Sequence, residues 1–165
     1  MRGAALALVV TLVVWAAPAY AQPDGAAEKP VDPYVQSNAN AGAQPIEGED
    51  VFAALNGREG IQRIVHDLVA RSTADPRIAD IFVNHDLVRL RRTLGEQICY
   101  IAGGPCTYTG RTMAASHADM GVRSKDFNVL VEHLQAAMDR EGVPFRAQNR
   151  LLAKLAPMHR DIVTP

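Results

Sequence analysis

The stretch AGGPCTYTGRTMAASH, residues 102–117, interrupts a sequence that otherwise reads as one helix after another. Gly103-Gly104-Pro105 stops a helix because two residues without a Cβ precede one that lacks an amide hydrogen and has a fixed φ. After Gly110, the run RTMAASHA has room for only about two helical turns. Met113 and His117 fall one turn apart on a single face of that short segment. The other side chains there, Ala114, Ala115, Ser116 and Ala118, are small.

Outward from this break the apolar residues recur at helical spacing. Ile61, Ile64, Val65, Leu68 and Val69 form the stripe of a core-facing helix that ends near Thr73. Asp75-Pro76 starts a short turn or helix reaching Ile81 and Phe82. Asn84 to Asp86 supplies a cap for a helix whose face is Leu87, Leu90, Leu94, Ile98 and Ile101. Beyond Gly121, Ser124 caps the next helix, with Asp126 in its first turn and a stripe of Phe127, Leu130, Val131, Leu134 and Met138. Gly142-Val143-Pro144 separates it from a last helix built on Leu151, Leu152, Leu155, Met158 and Ile162, which Pro157 should kink. Nothing alternates with a strand period. The expected fold is all-α, with four substantial helices and two short ones, able to pack as two antiparallel pairs laid across each other.

The 165 residues suffice for one domain with a real core. With 17 basic against 18 acidic side chains the chain has no basic field, which excludes nucleic acid as an expected partner. Arg2, the apolar run from Ala4 to Ala17, and Ala19-Tyr20-Ala21 together read as a signal peptide, residues 1–21, cleaved after Ala21. The run is shorter than the ~20 apolar residues of a membrane anchor. An exported, periplasmic protein without a membrane anchor is therefore expected. Residues 22–49, rich in Pro, Ala, Gly, Asn and Gln and without a period, read as a flexible linker. The globular domain is expected over residues 50–165. Cys99 and Cys106 either form a local disulfide, which the oxidising compartment favours, or remain two small buried thiols. No C-x-x-C-H is present for covalent haem attachment of the c type.

Five histidines are candidates for chemistry. His66 beside Asp67, His85 at a helix start, His133 beside Glu132 and His159 near Asp161 read as half-buried surface residues. His117 differs in its small-residue surroundings, which suit something large approaching edge-on. Imidazole is the usual axial ligand of haem iron, and that role needs one protein bond. From the residues alone, His117 is either such a ligand or a core histidine on a short helix.

The same stretch resembles the core signature of the group 1 branch of the truncated, two-over-two haemoglobins. That family carries Gly-Gly-Pro after its distal helix, then Tyr-x-Gly, then Met four residues before the iron-binding His. Here these are Gly103-Gly104-Pro105, Tyr108, Gly110, Met113 and His117. Phe82 stands where the family places its haem-wedging Phe, and the spacing to Leu90 and His117 needs no gap. The resemblance runs from about Asp50 to Val163. It implies a two-over-two helical sandwich with a shortened proximal helix, and one haem b per chain with His117 as metal ligand. It further implies Phe82, Leu90, Leu94, Met113, Val122 and Phe127 as haem contacts.

The distal side departs from the family. The position where many members place a Tyr is Val69, and the two main distal-helix positions are Leu90 and Leu94, the second often Gln elsewhere. Gln97, nearly on the same helical face, is the one polar rescue, with His66 and His85 as remoter sixth ligands. The implied function is reversible binding of dioxygen, nitric oxide or carbon monoxide rather than catalysis, so no catalytic residue is expected. Nitric oxide dioxygenation or weak peroxidase chemistry, supported by an electron-donating reductase, is the enzymatic alternative. A haem-free helical interaction domain is disfavoured by the retained Phe82, Met113 and His117. Arg89, Arg91 and Arg92 either meet haem propionates or form a solvated basic face.

Overall fold

The computed structural model describes residues 27–164; the expected signal peptide lies outside them. The helices are α1 (Asp50–Ala54), α2 (Gly57–Ala74), α3 (Leu87–Ile101), α4 (Met113–His117), α5 (Ser124–Arg140), α6 (Phe145–Leu155) and α7 (His159–Ile162), and the described residues contain no strand. None of these helices is long and apolar enough to cross a membrane.

The periodic stripes become the core. Helix α2 buries Ile61, Ile64, Val65, Leu68 and Val69 and packs between α3 and α5. Ile98 and Ile101 from α3, Met138 from α5 and Leu151 from α6 close the same cluster. Fully burying side chains of this size contributes about 1.5–3 kcal/mol each, which outweighs the modest helix propensity of the β-branched residues.

Helix ends follow from local chemistry, with shifts of a residue or two. Asp86 caps α3 by accepting from the amides of Val88 and Arg89, both at 3.0 Å. Helix α5 starts at Ser124, the expected cap, so the cap itself lies one residue earlier: Arg123 is the N-cap, and the Asp126 carboxylate accepts its amide at 3.0 Å. Helix α4 is a single turn of five residues, shorter than the two turns expected. Pro157 breaks the last helix rather than kinking it. Helix α6 ends at Leu155, a 3₁₀ turn covers Ala156–Met158, and α7 restarts at His159.

A polar chain, buried at Ser72 and His133, ties α2 to α5. The Ser72 hydroxyl donates to the Leu68 carbonyl at 2.8 Å and lies 3.1 Å from His133 Nδ1. His133 Nε2 lies 3.1 Å from Asp75 Oδ2, and Arg77 meets the same carboxylate at 2.7 Å. Arg77 first, and His133 after it, hold the Asp75 carboxyl well below the ordinary carboxylate range. A depressed carboxyl stabilises the fold above its unfolded pKa and loses that contribution as pH falls through the folded value. Asp75→Asn should therefore lower the thermal midpoint at pH 7, and the gap to wild type should shrink in strong acid. An equal gap at both pH values in thermal melts would remove Asp75 from this role.

The segment before α1 departs most from expectation. Residues 27–49, the described part of the expected flexible linker, lie against the domain as a strap. Ala41 is fully buried and Ile46 nearly so. The Ile46 amide donates to the Ile101 carbonyl at 2.8 Å, and Asn38 Oδ1 accepts the Tyr108 amide at 2.8 Å. The composition argument failed because two isolated apolar residues, Ala41 and Ile46, reach the core, and polar bonds to groups far away in sequence hold much of the rest, with no periodic apolar face to announce either.

Cys99 and Cys106 form a disulfide with a Cα separation of 5.8 Å, which settles the pair as a staple. It joins the C-terminal end of α3 to the loop that carries the chain toward α4.

Candidate functional site

Helices α2, α3, α4 and α5 enclose a cavity of about 480 Å³, within the range of small-molecule and cofactor sites. Phe82, Leu90, Leu94, Met113, His117, Val122 and Phe127 all line it. So do Val69 and Gln97. The sequence-predicted residues it brings together span 58 positions, from Val69 on α2 to Phe127 on α5.

His117 is placed by the short helix. Thr112 caps α4 by accepting the Ala115 amide at 3.2 Å, and His117 ends that helix beside the cavity. Its Nδ1 lies 2.8 Å from the Met113 carbonyl oxygen. A carbonyl only accepts, so Nδ1 carries the proton and the neutral ring presents an unprotonated Nε2. Burial pushes the imidazole below its ordinary pKa, the Met113 bond opposes it, and nearby His85 adds to the lowering. The net direction favours the neutral ring, which is the metal-binding form. A carbonyl partner on the other ring nitrogen is also the usual device for fixing a ligating histidine.

The loop between the glycines is built to hold this orientation. Tyr108 is buried, which pushes its phenol up to about 12, and its hydroxyl donates to the Arg111 carbonyl at 3.0 Å. Gly110 has no room for a side chain, since a Cβ there would lie 2.2 Å from the Tyr108 hydroxyl. Glu96 on α3 fastens the same loop: its Oε2 accepts the Thr109 amide at 2.9 Å and hydroxyl at 2.7 Å.

Val69, Leu90 and Leu94 give the cavity an apolar stretch of wall. Gln97 corrects one part of the distal reading. Its amide nitrogen donates to the Ala41 carbonyl at 2.8 Å and faces Met113 Sδ at 3.3 Å, so both its hydrogens are engaged. It is a structural tie to the strap rather than a donor held ready for a ligand. His66 is exposed and does not line the cavity, whereas His85 does. Among the three arginines, Arg89 lines the cavity. Arg92 is committed to Glu28, Glu96 and Thr109. Residues that sequence reasoning passed over also line the site, notably Lys29, Val31, Tyr34, Met120 and Ile162. No periodicity marks the first three, and their extended segment reaches the cavity only through tertiary contacts.

A haem fits these observations: a mostly apolar cavity, a lining histidine, His117, with a fixed tautomer, and the cations Lys29, Arg89 and Arg111 among the lining residues. A family model described as Bacterial-like globin matches residues 50–164. A group 1 truncated haemoglobin from a Nostoc species is 32% identical over 113 residues, covering 68% of this chain and 96% of that protein. One from Mycolicibacterium paratuberculosis is 28% identical over 121 residues, covering 72% of this chain and 87% of its own length. In fold, the chain is similar to the Fe(III) crystal structure of a truncated haemoglobin from Tetrahymena pyriformis. That likeness has a TM-score of 0.66 at 22% identity, over 70% of this chain and 98% of that one. The all-helical architecture, the truncated signature around the cavity and these matches agree: the chain belongs to the bacterial-like globin family as a group 1 truncated haemoglobin, a haem-based binder of diatomic ligands.

Proposed function

We propose that the chain holds one haem b without a covalent bond, with His117 Nε2 as its axial protein ligand, and that its task is to bind a diatomic gas rather than to turn over a substrate. The observation that carries this reading is the 2.8 Å contact between His117 Nδ1 and the Met113 carbonyl, which leaves the other ring nitrogen unprotonated and able to ligate a metal. Haem supplies the iron centre at which dioxygen, nitric oxide or carbon monoxide binds. Phe82, Leu90, Leu94, Met113, Val122 and Phe127, which line the cavity, would pack against the ring. Both cysteines are consumed by the disulfide, so no thiol is left to attach the group. Ferric, ferrous and carbon monoxide-bound absorption spectra of the purified chain test the proposal. Failure of the chain to take up haem would reject it.

The distal wall sets the ligand chemistry. Val69, Leu90 and Leu94 offer no hydrogen bond to a bound polar ligand, and Gln97 is engaged elsewhere. A hydrogen bond of this kind in a buried pocket is worth about 1–3 kcal/mol. Leu94→Gln should slow dioxygen dissociation by roughly one to two decades, measured by stopped-flow ligand displacement. Very slow escape from the wild type would contradict the apolar reading. Peroxidase chemistry asks for a distal acid–base group, which Val69, Leu90 and Leu94 do not supply. A reductase that keeps the iron ferrous is the partner this role calls for. Cleavage near Ala21 would put the protein in the periplasm.

A further inference from the structure

The family match begins at residue 50, yet residues well before it form part of the cavity wall. Lys29, Pro30, Val31 and Tyr34 line the same space as His117. Their segment runs between the start of α3 and the loop before α4. At the α3 end, the Glu28 carboxylate meets Arg92, at 3.0 Å to Nη2, and Arg89 at 3.4 Å. The Lys29 amide donates to Asp86 Oδ2 at 2.6 Å, and Arg89 donates back to the Lys29 carbonyl. At the other end, the Tyr34 hydroxyl donates to the Thr109 carbonyl at 2.8 Å. Arg111 donates to the Asp32 carbonyl at 3.1 Å and lies over the Tyr34 ring at 5.1 Å.

Apolar burial does not hold this segment, since Val31 remains 46% exposed and Val35 84% exposed. Charge-assisted bonds hold it, and such clamps can be undone by single substitutions. Three cations, Lys29, Arg89 and Arg111, stand along the cavity where the strap crosses. The Lys29 ammonium makes no ion pair among the described residues, whereas both arginines are engaged by the strap itself.

We propose that the strap Glu28–Tyr34 is a working wall of the haem site, closing the cavity between α3 and the loop before α4, slowing haem loss, and offering the Lys29 ammonium to a haem carboxylate. The inference rests on the haem-binding reading above. It extends the site beyond the part of the chain that the family match covers.

Haem loss from the full chain, followed by transfer to an excess of apomyoglobin, tests it alongside limited proteolysis of the strap. Glu28→Arg places a cation against Arg89 and Arg92. It should make the strap readily cleaved and speed haem loss about tenfold or more, the loss expected for a charged hydrogen-bonded clamp. Lys29→Ala should leave the strap protected and speed haem loss about two- to fivefold at low salt, with the difference fading at high salt. Released straps with unchanged haem loss overturn the proposal, as does a Glu28→Arg strap that stays protected. An unchanged rate in Lys29→Ala at low salt overturns the carboxylate contact. A wild-type chain that takes up no haem rejects the haem reading itself, and this inference with it.

Discussion

His117→Gly should leave a chain that folds but no longer binds haem as a histidine-ligated group. The absorption spectrum should lose its histidine-ligated form, and haem affinity should fall by more than the 10–100-fold typical of losing an outer-shell partner. Added imidazole should restore the spectrum, because the shortened side chain leaves space beside the Met113 carbonyl for a free ring. The physical basis is the single turn of α4. With Nδ1 committed to the carbonyl at 2.8 Å, the ring has one nitrogen left to offer. His133, His159 and His66 do not line the cavity and cannot replace it. A His117→Gly protein whose haem spectrum matches wild type without imidazole would place the axial ligand elsewhere, with His85 the next residue to test.

Gly103→Val should cost about 2–5 kcal/mol of stability in urea or thermal unfolding. Two costs add there. Gly103 sits at φ +86, in the region that side chains rarely adopt. A Cβ would also lie 2.3 Å from the Gly48 carbonyl oxygen and 2.7 Å from that of Ile46, backbone atoms that cannot swing aside. Gly142→Ala is the control, since Gly142 has φ +76 but open space around it. That variant should lose only the backbone term, about 1 kcal/mol. Equal losses at the two sites would show that the close approach of the strap to Gly103 carries no weight.

This comparison explains why the Gly-Gly pair is more than a helix stop. Gly104 is also closely approached, though by side chains and without a positive φ: a Cβ there would lie 2.4 Å from Phe52 Cδ2. Both glycines are therefore docking points, one for the end of the strap and one for α1. From the sequence they were legible as punctuation, because a helix end needs only local information. What they make room for comes from residues about 50 positions earlier, which no local pattern announces.

The stripes of α2, α3, α5 and α6 were readable because burying one helical face imposes spacings of three and four residues on nearby positions. The break from Gly103 to Gly110 was readable for a related reason, while His117 stood out as a ligand through the resemblance of the whole motif to the truncated haemoglobins. The sequence by itself thus determined the four long helices and the break, and with the resemblance the ligand candidate. Tertiary structure alone decided the strap, the commitment of Gln97 to Ala41, and the closure of Cys99 onto Cys106. Each of these joins groups through hydrogen bonds or a covalent link whose partners are chosen by position in space. An Ala carbonyl, an Asn amide or a Glu carboxylate carries no periodic mark of where it will dock.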